Sequence, residues 1–343
     1  MHAKTGNDAL WYDLINLAEA NNEQGNLKEA MESLQQALTL SRKQEDKYAE
    51  SFSLLRIGDT LVRQGDPHGA RQFYEKSLEV CRESKKSRNP SNCPSWFASR
   101  FADQGDLPRA QSLLQENLEL SGKSESKSDM ANALRDFSEL LVKKSQLTEA
   151  RARYEQALSI HTQLGEANGI AWDRLGLAAL SIEEGRPGDA EATARAAMEA
   201  FQKQKSVYAE VFAHTLLARA LLMEGKLKEA TTEIDQAKVL WKKQQGFDQH
   251  FDVGIVSARI LAQSHDPAEA EKQLNLLLDE STRDGLVNYQ FEIRLALGEI
   301  EMKSGKTASG MARLKSLEKD ATAKGFLLIA RKAKAAASGT VSG

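Results

Sequence analysis

Two tripeptides in the chain look like phosphate chemistry. Gly122-Lys123-Ser124 and Gly305-Lys306-Thr307 match the end of a phosphate-binding loop. Such a loop needs another glycine five residues before its second one, so that consecutive N–H groups cradle the phosphates. Asn117 and Ile300 hold those positions and no strand precedes them, so both tripeptides read as ordinary inter-helix turns. The zinc-protease pair HExxH and the nucleophile elbow GxSxG do not occur. His2, His68, His161, His214, His250 and His265 fall at unrelated points, and only His214 is expected to face inward, as a packing residue. Cys81 and Cys93 are the only cysteines, which excludes a disulfide-dense scaffold, and without a CxxC pair a structural zinc site is not expected. Cys81 ends one helix and Cys93 starts the next, so they can come close. With nothing to mark an oxidising compartment, they are expected to be unpaired. The carboxylates lie on faces expected to be wet. No residue set supports turnover, so the chain is expected to be no enzyme and to use no cofactor.

With 343 residues, 41% of them hydrophobic, the chain has material for a large core. Six prolines and 6% aromatics are poor material for a β sandwich, while 28% charged residues suit solvated helix faces. Lys plus Arg is 46 against 49 for Asp plus Glu, so nothing draws the chain to nucleic acid or to an anionic membrane. No apolar run reaches the ~20 residues of a membrane span, and MHAKTGNDAL lacks the apolar core of a signal. A cytoplasmic location is expected. The alternative is an extracytoplasmic region of a membrane-anchored protein, which would carry no signal of its own.

The elements that must position any site follow from a period. GNLKEA, GDPHGA, GDLPRA, SQLTEA, GRPGDA, GKLKEA, HDPAEA and GKTASG end at Ala30, Ala70, Ala110, Ala150, Ala190, Ala230, Ala270 and Gly310, each forty residues after the last. Twelve residues before each lies another small residue: Ala18, Gly58, Ala98, Ser138, Ala178, Ala218, Ala258 and Gly298. Leu34, Tyr74, Leu114, Tyr154, Ile234, Leu274 and Leu314 follow four residues after the slot, on the same helical face. Gly25, Gly65, Gly105, Gly185, Gly225 and Gly305 can end a first helix in a left-handed turn. Asn26, Asp66, Asp106 and Asp266 can cap the second, and Pro67, Pro187 and Pro267 fit its first position. The unit is a helix, a tight turn and an antiparallel helix, stacked eight times over residues 11–320. An N-terminal extension, 1–10, precedes it.

These residues resemble the tetratricopeptide repeat family. Ile57, Gly58, Gly65, Ala70, Tyr74 and Ser77 fit its pattern well, and Phe137, Ser138, Ala150, Tyr154 and Ala157 nearly as well. The resemblance implies an all-α, right-handed solenoid of eight helix-turn-helix repeats. The period departs from the family's common 34 residues, and the proline that usually ends the second helix is missing, with Arg42, Arg82 and Gln202 near its place. The extra residues are expected to lengthen the helices by one to two turns of ~3.6 residues. Such long repeats are similar to those of large bacterial transcription activators and of receptor-like serine/threonine kinases.

Two copies are irregular. In the third, Pro94 is expected to start a short first helix after the longest loop, SKKSRNPSNCPS. After the eighth, Phe326, Leu327, Leu328 and Ile329 predict a capping helix over 322–336, followed by a disordered tail, 337–343.

By analogy with the family, the first helices line a concave groove with their second, fifth, ninth, twelfth and thirteenth residues. Counting from Trp11, Ser51 and so on, the second points include Tyr12, Phe52, Trp172 and Phe212, and the fifth Ile15, Leu55, Leu175 and Ile255. Glu19, Asp59, Glu139, Arg219, Arg259 and Glu299 are ninth points. The apolar residues either face a partner or pack against adjacent repeats. Arg219 and Arg259 stand at one point in neighbouring copies and can share a carboxylate or phosphate, or else pair with local acids. Arg135, Arg174 and Arg294 would extend that positive stretch. The family's clamp for a C-terminal carboxylate, Lys at the fifth point and Asn at the ninth, is missing. The expected function is a protein-interaction scaffold that takes a partner's peptide or helix at Tyr12, Phe52, Leu55, Trp172, Leu175, Phe212, Arg219, Ile255 and Arg259. The alternative is a ligand-sensing regulatory domain of a larger signalling protein.

Overall fold

The structure, a computed structural model, describes residues 10–83, 93–123, 126–244, 247–264 and 266–339. Seventeen helices follow one another among them. The first helices of the eight copies are α1 (Leu10–Glu23), α3 (Lys47–Arg63), α5 (Cys93–Asp103), α7 (Lys127–Lys143), α9 (Ala167–Glu183), α11 (Val207–Met223), α13 (Phe247–Gln263) and α15 (Val287–Lys303). The second helices are α2 (Leu27–Lys43), α4 (Pro67–Glu83), α6 (Leu107–Lys123), α8 (Leu147–Leu164), α10 (Pro187–Gln204), α12 (Leu227–Gln244), α14 (Pro267–Arg283) and α16 (Thr307–Ala323), with α17 (Leu327–Ala337) last. They pack as consecutive antiparallel pairs, a helical solenoid.

Small residues at two points explain the pairing. Ala18, Ser138, Ala178, Ala218 and Ala258 are fully buried, as are all seven slot alanines, so the two backbones of each hairpin approach closely. The eighth copy carries this furthest, with glycine at both points. A Cβ on Gly310 would lie 2.9 Å from the carbonyl oxygen of Gly298 and 2.9 Å from the N of Met302, backbone atoms that cannot swing aside. Gly310→Ala is therefore expected to lower stability by ~1–3 kcal/mol, the cost of overpacking. Chemical denaturation measures it, and an unchanged midpoint would contradict the close approach.

Most helices run 17 or 18 residues, and left-handed turns recur every twenty. Gly25, Gly65, Gly105, Gly185, Gly225 and Gly305 end first helices with φ between 74° and 85°. Ser145 takes the same place after α7 with φ 61° without being glycine, and a second set, not anticipated from the sequence, ends second helices: Glu45 and Lys205 take positive φ there without being glycine, while Gly165, Gly285 and Gly325 do so more easily. Asp66, Asp106 and Asp266 accept from the N–H groups of Gly69, Arg109 and Glu269 as caps. Asn26 does not, since its amide turns back to donate to Gln24. Pro67, Pro187 and Pro267 each open a helix.

The irregular copies behave as follows. α5 begins at Cys93 and has 11 residues. The stretch expected to be the longest loop lies at 84–92, outside the described residues, as do positions 1–9 and 340–343. The capping helix begins at Leu327, not 322, because α16 keeps the full repeat length and Gly325 (φ 81°) breaks the chain first. It runs to Ala337, with a turn at Ser338 and Gly339. Leu327 stands forty residues after Val287, so α17 is in register with the first helix of a ninth copy.

Two expectations need correction. Cys81 is disulfide-bonded, and the chain's one other cysteine is Cys93. Consecutive helices of the stack bring these ends together. His214 is buried against Glu233 at 2.7 Å, but it is not the only inward histidine. His161 is buried more deeply, with Nδ1 2.5 Å from Asp173. Arg135 reaches the same carboxylate at 3.4 Å, so a buried ionic knot ties the fourth copy to the fifth.

The solenoid winds until its end meets its middle. Leu107 and Phe101 share one apolar core with Leu286, Phe291 and Phe326. Lys143 Nζ donates to Asn288 at 3.0 Å across 145 residues. Lys332 of α17 reaches Glu183 of α9 at 2.6 Å. Among the described residues no helix is long and apolar enough to cross a membrane.

Candidate functional site

This winding surrounds a central lumen of about 2090 Å³ that stays partly open to solvent. Its wall comes mainly from the first helices, α3 through α15, and from α17, while the second helices form the outer layer. Eight of the nine residues singled out from the sequence line it: Phe52, Leu55, Trp172, Leu175, Phe212, Arg219, Ile255 and Arg259. Tyr12 does not. It is exposed on α1, which precedes the part of the spiral that closes.

The second and fifth points differ in what they offer. Leu55, Leu175 and Ile255 are buried in core clusters that they share with adjacent repeats, so for them packing is what the structure shows. Phe52, Trp172 and Phe212 are half-buried and keep ring surface open. Trp172 stands with its ring 5.9 Å from Phe212 and 6.5 Å from Tyr208, and Phe212 lies 5.2 Å from Tyr208. Such offset and edge-on pairs form a firm apolar platform. Phe52 and Trp96, 6.2 Å apart, make a smaller one on α3 and α5. Tyr208, Trp96 and Tyr289 were missed from the sequence, because Tyr208 and Tyr289 precede the counted helix start and Trp96 falls one residue past the fifth point.

The two arginines are not bare. Arg219 donates to Glu183, and Arg259 donates to Glu299. Of the two readings of these arginines, pairing with the protein's own acids is the one seen, because winding sets a carboxylate of an adjacent copy against each. Arg135 and Arg294 are likewise paired, with Asp173 and Asp320, and Arg174 lies off the lumen. Burial alone would push the Glu183 carboxyl up, but Arg219 and Lys332 outweigh it and hold it at about 2. Glu139 behaves in the opposite way. It opens into the lumen, yet the surrounding wall and Asp136 push its carboxyl up to about 7 against the pull of Arg135 and Lys143. The lumen thus offers apolar ring surface together with charges mostly satisfied internally. Among the described residues no group of three or more His, Cys, Asp or Glu could hold a metal ion.

Comparison with known proteins fits this geometry. A family model described as the MalT-like TPR region matches residues 95–328, and a tetratricopeptide repeat model matches residues 9–83. No curated protein matches the sequence. Among solved structures, a Rap protein complexed with competence and sporulation factor superposes with a TM-score of 0.59 over 96% of this chain and 95% of that one, at 14% identity. Aspartyl phosphate phosphatase F from Bacillus subtilis gives 0.61 over 93% and 85%, at 12% identity. Yeast Tom70 gives 0.50 over 98% and 65%, at 17% identity.

Proposed function

The chain belongs to the tetratricopeptide repeat proteins with a MalT-like repeat region, and from that premise we propose that it is a non-catalytic module whose lumen receives a segment of a protein partner. The observation that carries this reading is the aromatic platform of half-buried Trp172 and Phe212 with exposed Tyr208, facing a space of about 2090 Å³. A pocket for one small molecule typically takes ~300–1,000 Å³, so this lumen has room for a stretch of polypeptide. Apolar side chains of the segment would rest on the rings, which supply most of the binding energy at such sites. One solved protein of this architecture holds the competence and sporulation factor, which is in keeping with a bound factor here.

The test is capture on the immobilised protein. Polypeptides retained by the wild type should fall at least tenfold with Trp172→Ala and Phe212→Ala together. They should be unchanged with Leu276→Ala, on the exposed outer surface. Capture indifferent to the ring changes would overturn the reading.

A second reading, a sensing domain of a larger signalling protein, has one observation in its favour. A small change of pitch would make or break the contact of Lys332 with Glu183. Thermal stabilisation by a metabolite, without polypeptide capture, would favour it. The bonded state of Cys81 favours an oxidising, extracytoplasmic compartment over the cytoplasm, since disulfides persist there.

A further inference from the structure

The lumen wall departs from its own repeat at one point. In the second copy Tyr74 of α4 donates its hydroxyl to Asp59 of α3 at 2.9 Å, and Arg56 and Arg100 neutralise that acid. Two copies on, Tyr154 of α8 and Glu139 of α7 hold the same two points. Tyr154 is 3% exposed and lines the lumen, yet among the described residues its hydroxyl has no hydrogen-bond partner. A polar group on so buried a side chain ordinarily has one. Its oxygen is not sealed in the core, and the space it opens onto is the lumen. Gly176 of α9 lets the ring pass. A Cβ there would lie 2.8 Å from Cζ of Tyr154, and both residues line the lumen.

Glu139 stands beside it, open to the lumen and, among the described residues, without a hydrogen bond or ion pair. The neighbouring cations are engaged elsewhere. Arg135 donates to Asn132 at 2.7 Å and to Asp173 at 3.4 Å, and Lys143 donates to Asn288 at 3.0 Å. Asp136, one turn before Glu139, accepts from Ser95 and stands 3.8 Å from Arg135. Asp103 of α5 adds negative charge, in keeping with a niche short of cations in which the Glu139 carboxyl stays up at about 7. Three acceptors thus share one stretch of wall: the Tyr154 hydroxyl and the carboxylates of Glu139 and Asp136. Trp172, one turn before Gly176 on the same face of α9, sets a flat ring beside them. A planar guanidinium, with donors along its edges and faces that stack on rings, matches this set better than a compact ammonium. We propose that the niche takes an arginine side chain of the segment that enters the lumen. The proposal rests on the reading that a polypeptide enters there, and it names a residue that polypeptide carries beside the apolar ones held by Trp172 and Phe212.

Calorimetric titration of n-butylguanidinium onto the full chain tests the niche by itself, with neutral n-butylurea as the isosteric control. The cation should bind saturably and at least tenfold more tightly than the urea. Glu139→Gln should abolish that preference, and Tyr154→Phe, which keeps the buried ring, should weaken it at least threefold. Equal binding of the two probes, or a preference that survives Glu139→Gln, would overturn the proposal whatever else the lumen receives. A random peptide library tests the source of the cation. Peptides retained by the wild type should be enriched at least fivefold in arginine, and Glu139→Gln should remove this enrichment while apolar residues are still selected. Retention without arginine enrichment would overturn the proposal and leave the polypeptide reading standing. Selective cation binding with no peptide retained would overturn both, and would give the niche to a free guanidinium compound.

Discussion

Glu183→Gln should cost about 3 kcal/mol of stability at neutral pH. The carboxylate is nearly buried and lies between Arg219 of α11 and Lys332 of α17. An ordinary value of 4.5 falls to about 2 there. At ~1.4 kcal/mol for each tenfold change in acidity, that difference is about 3 kcal/mol in favour of the folded, ionised state. The folded group is the stronger acid, so its contribution is complete above pH 4.5 and fades as pH falls toward 2. Denaturation of wild type and variant across that range should show a gap that is constant from neutral pH to about 5 and then closes. A gap that persists at pH 2, or none at pH 7, would contradict the assignment. The loss should be visible in the lumen as well, since two cations from distant copies would then face each other without their shared partner.

Asp173→Ala should be as damaging or more so. Asp173 is fully buried, accepts from His161 at 2.5 Å and meets Arg135 at 3.4 Å. Removing it strands a buried imidazole and a guanidinium, and breaking such a buried knot typically costs ~3–5 kcal/mol. Asp173→Asn keeps an acceptor for His161 and should cost about 1–2 kcal/mol, the range for one weakened hydrogen bond. Equilibrium unfolding of both variants checks the ordering, and equal losses would show that the volume of the side chain matters and its oxygens do not.

The two sites were differently visible in the sequence. Slot alanines such as Ala70 and Ala190 announce the fold, because a helix crossing this tight admits only small side chains and so repeats them visibly. The buried knot also left a signal that was not read. His161 stands in a column with Ser41, Cys81, Ser121, Phe201, Trp241, Ser281 and Ala321, and Asp173 in one with Asp13, Ser53, Cys93, Ala133, Ala213, Val253 and Ile293. A His and an Asp that fall in one copy pair at otherwise mainly small or apolar points mark a buried pair. The turns at Ser145 and Lys205 left no comparable mark, since nothing in these side chains favours positive φ.

The lumen itself was only half legible. The family's counting scheme found Trp172 and Phe212, because lining residues follow from helical phase. Pairing of Arg219 with a local acid was one of the two readings, but which acid it would meet was not legible. Pairing of Arg219 with Glu183, and of Glu183 with Lys332, depends on how far the spiral has turned after several copies. That angle is the sum of small rotations at every hairpin, and no single residue encodes it. The same applies to Lys143 and Asn288, whose contact spans 145 positions. Tyr12 lies outside the lumen for the related reason that the first copy precedes the part of the spiral that closes.

Zero-length carbodiimide coupling tests the closed winding most directly. The reagent joins an amine to a carboxylate only where the two already touch, and Lys332 Nζ lies 2.6 Å from Glu183. Digestion and mass spectrometry of the monomeric protein should yield a peptide pair joined by an amide between Glu183 and Lys332, absent from Glu183→Gln. A monomer that gives coupled neighbours along the helices but never this pair would mean that the spiral stays open and that no central lumen exists.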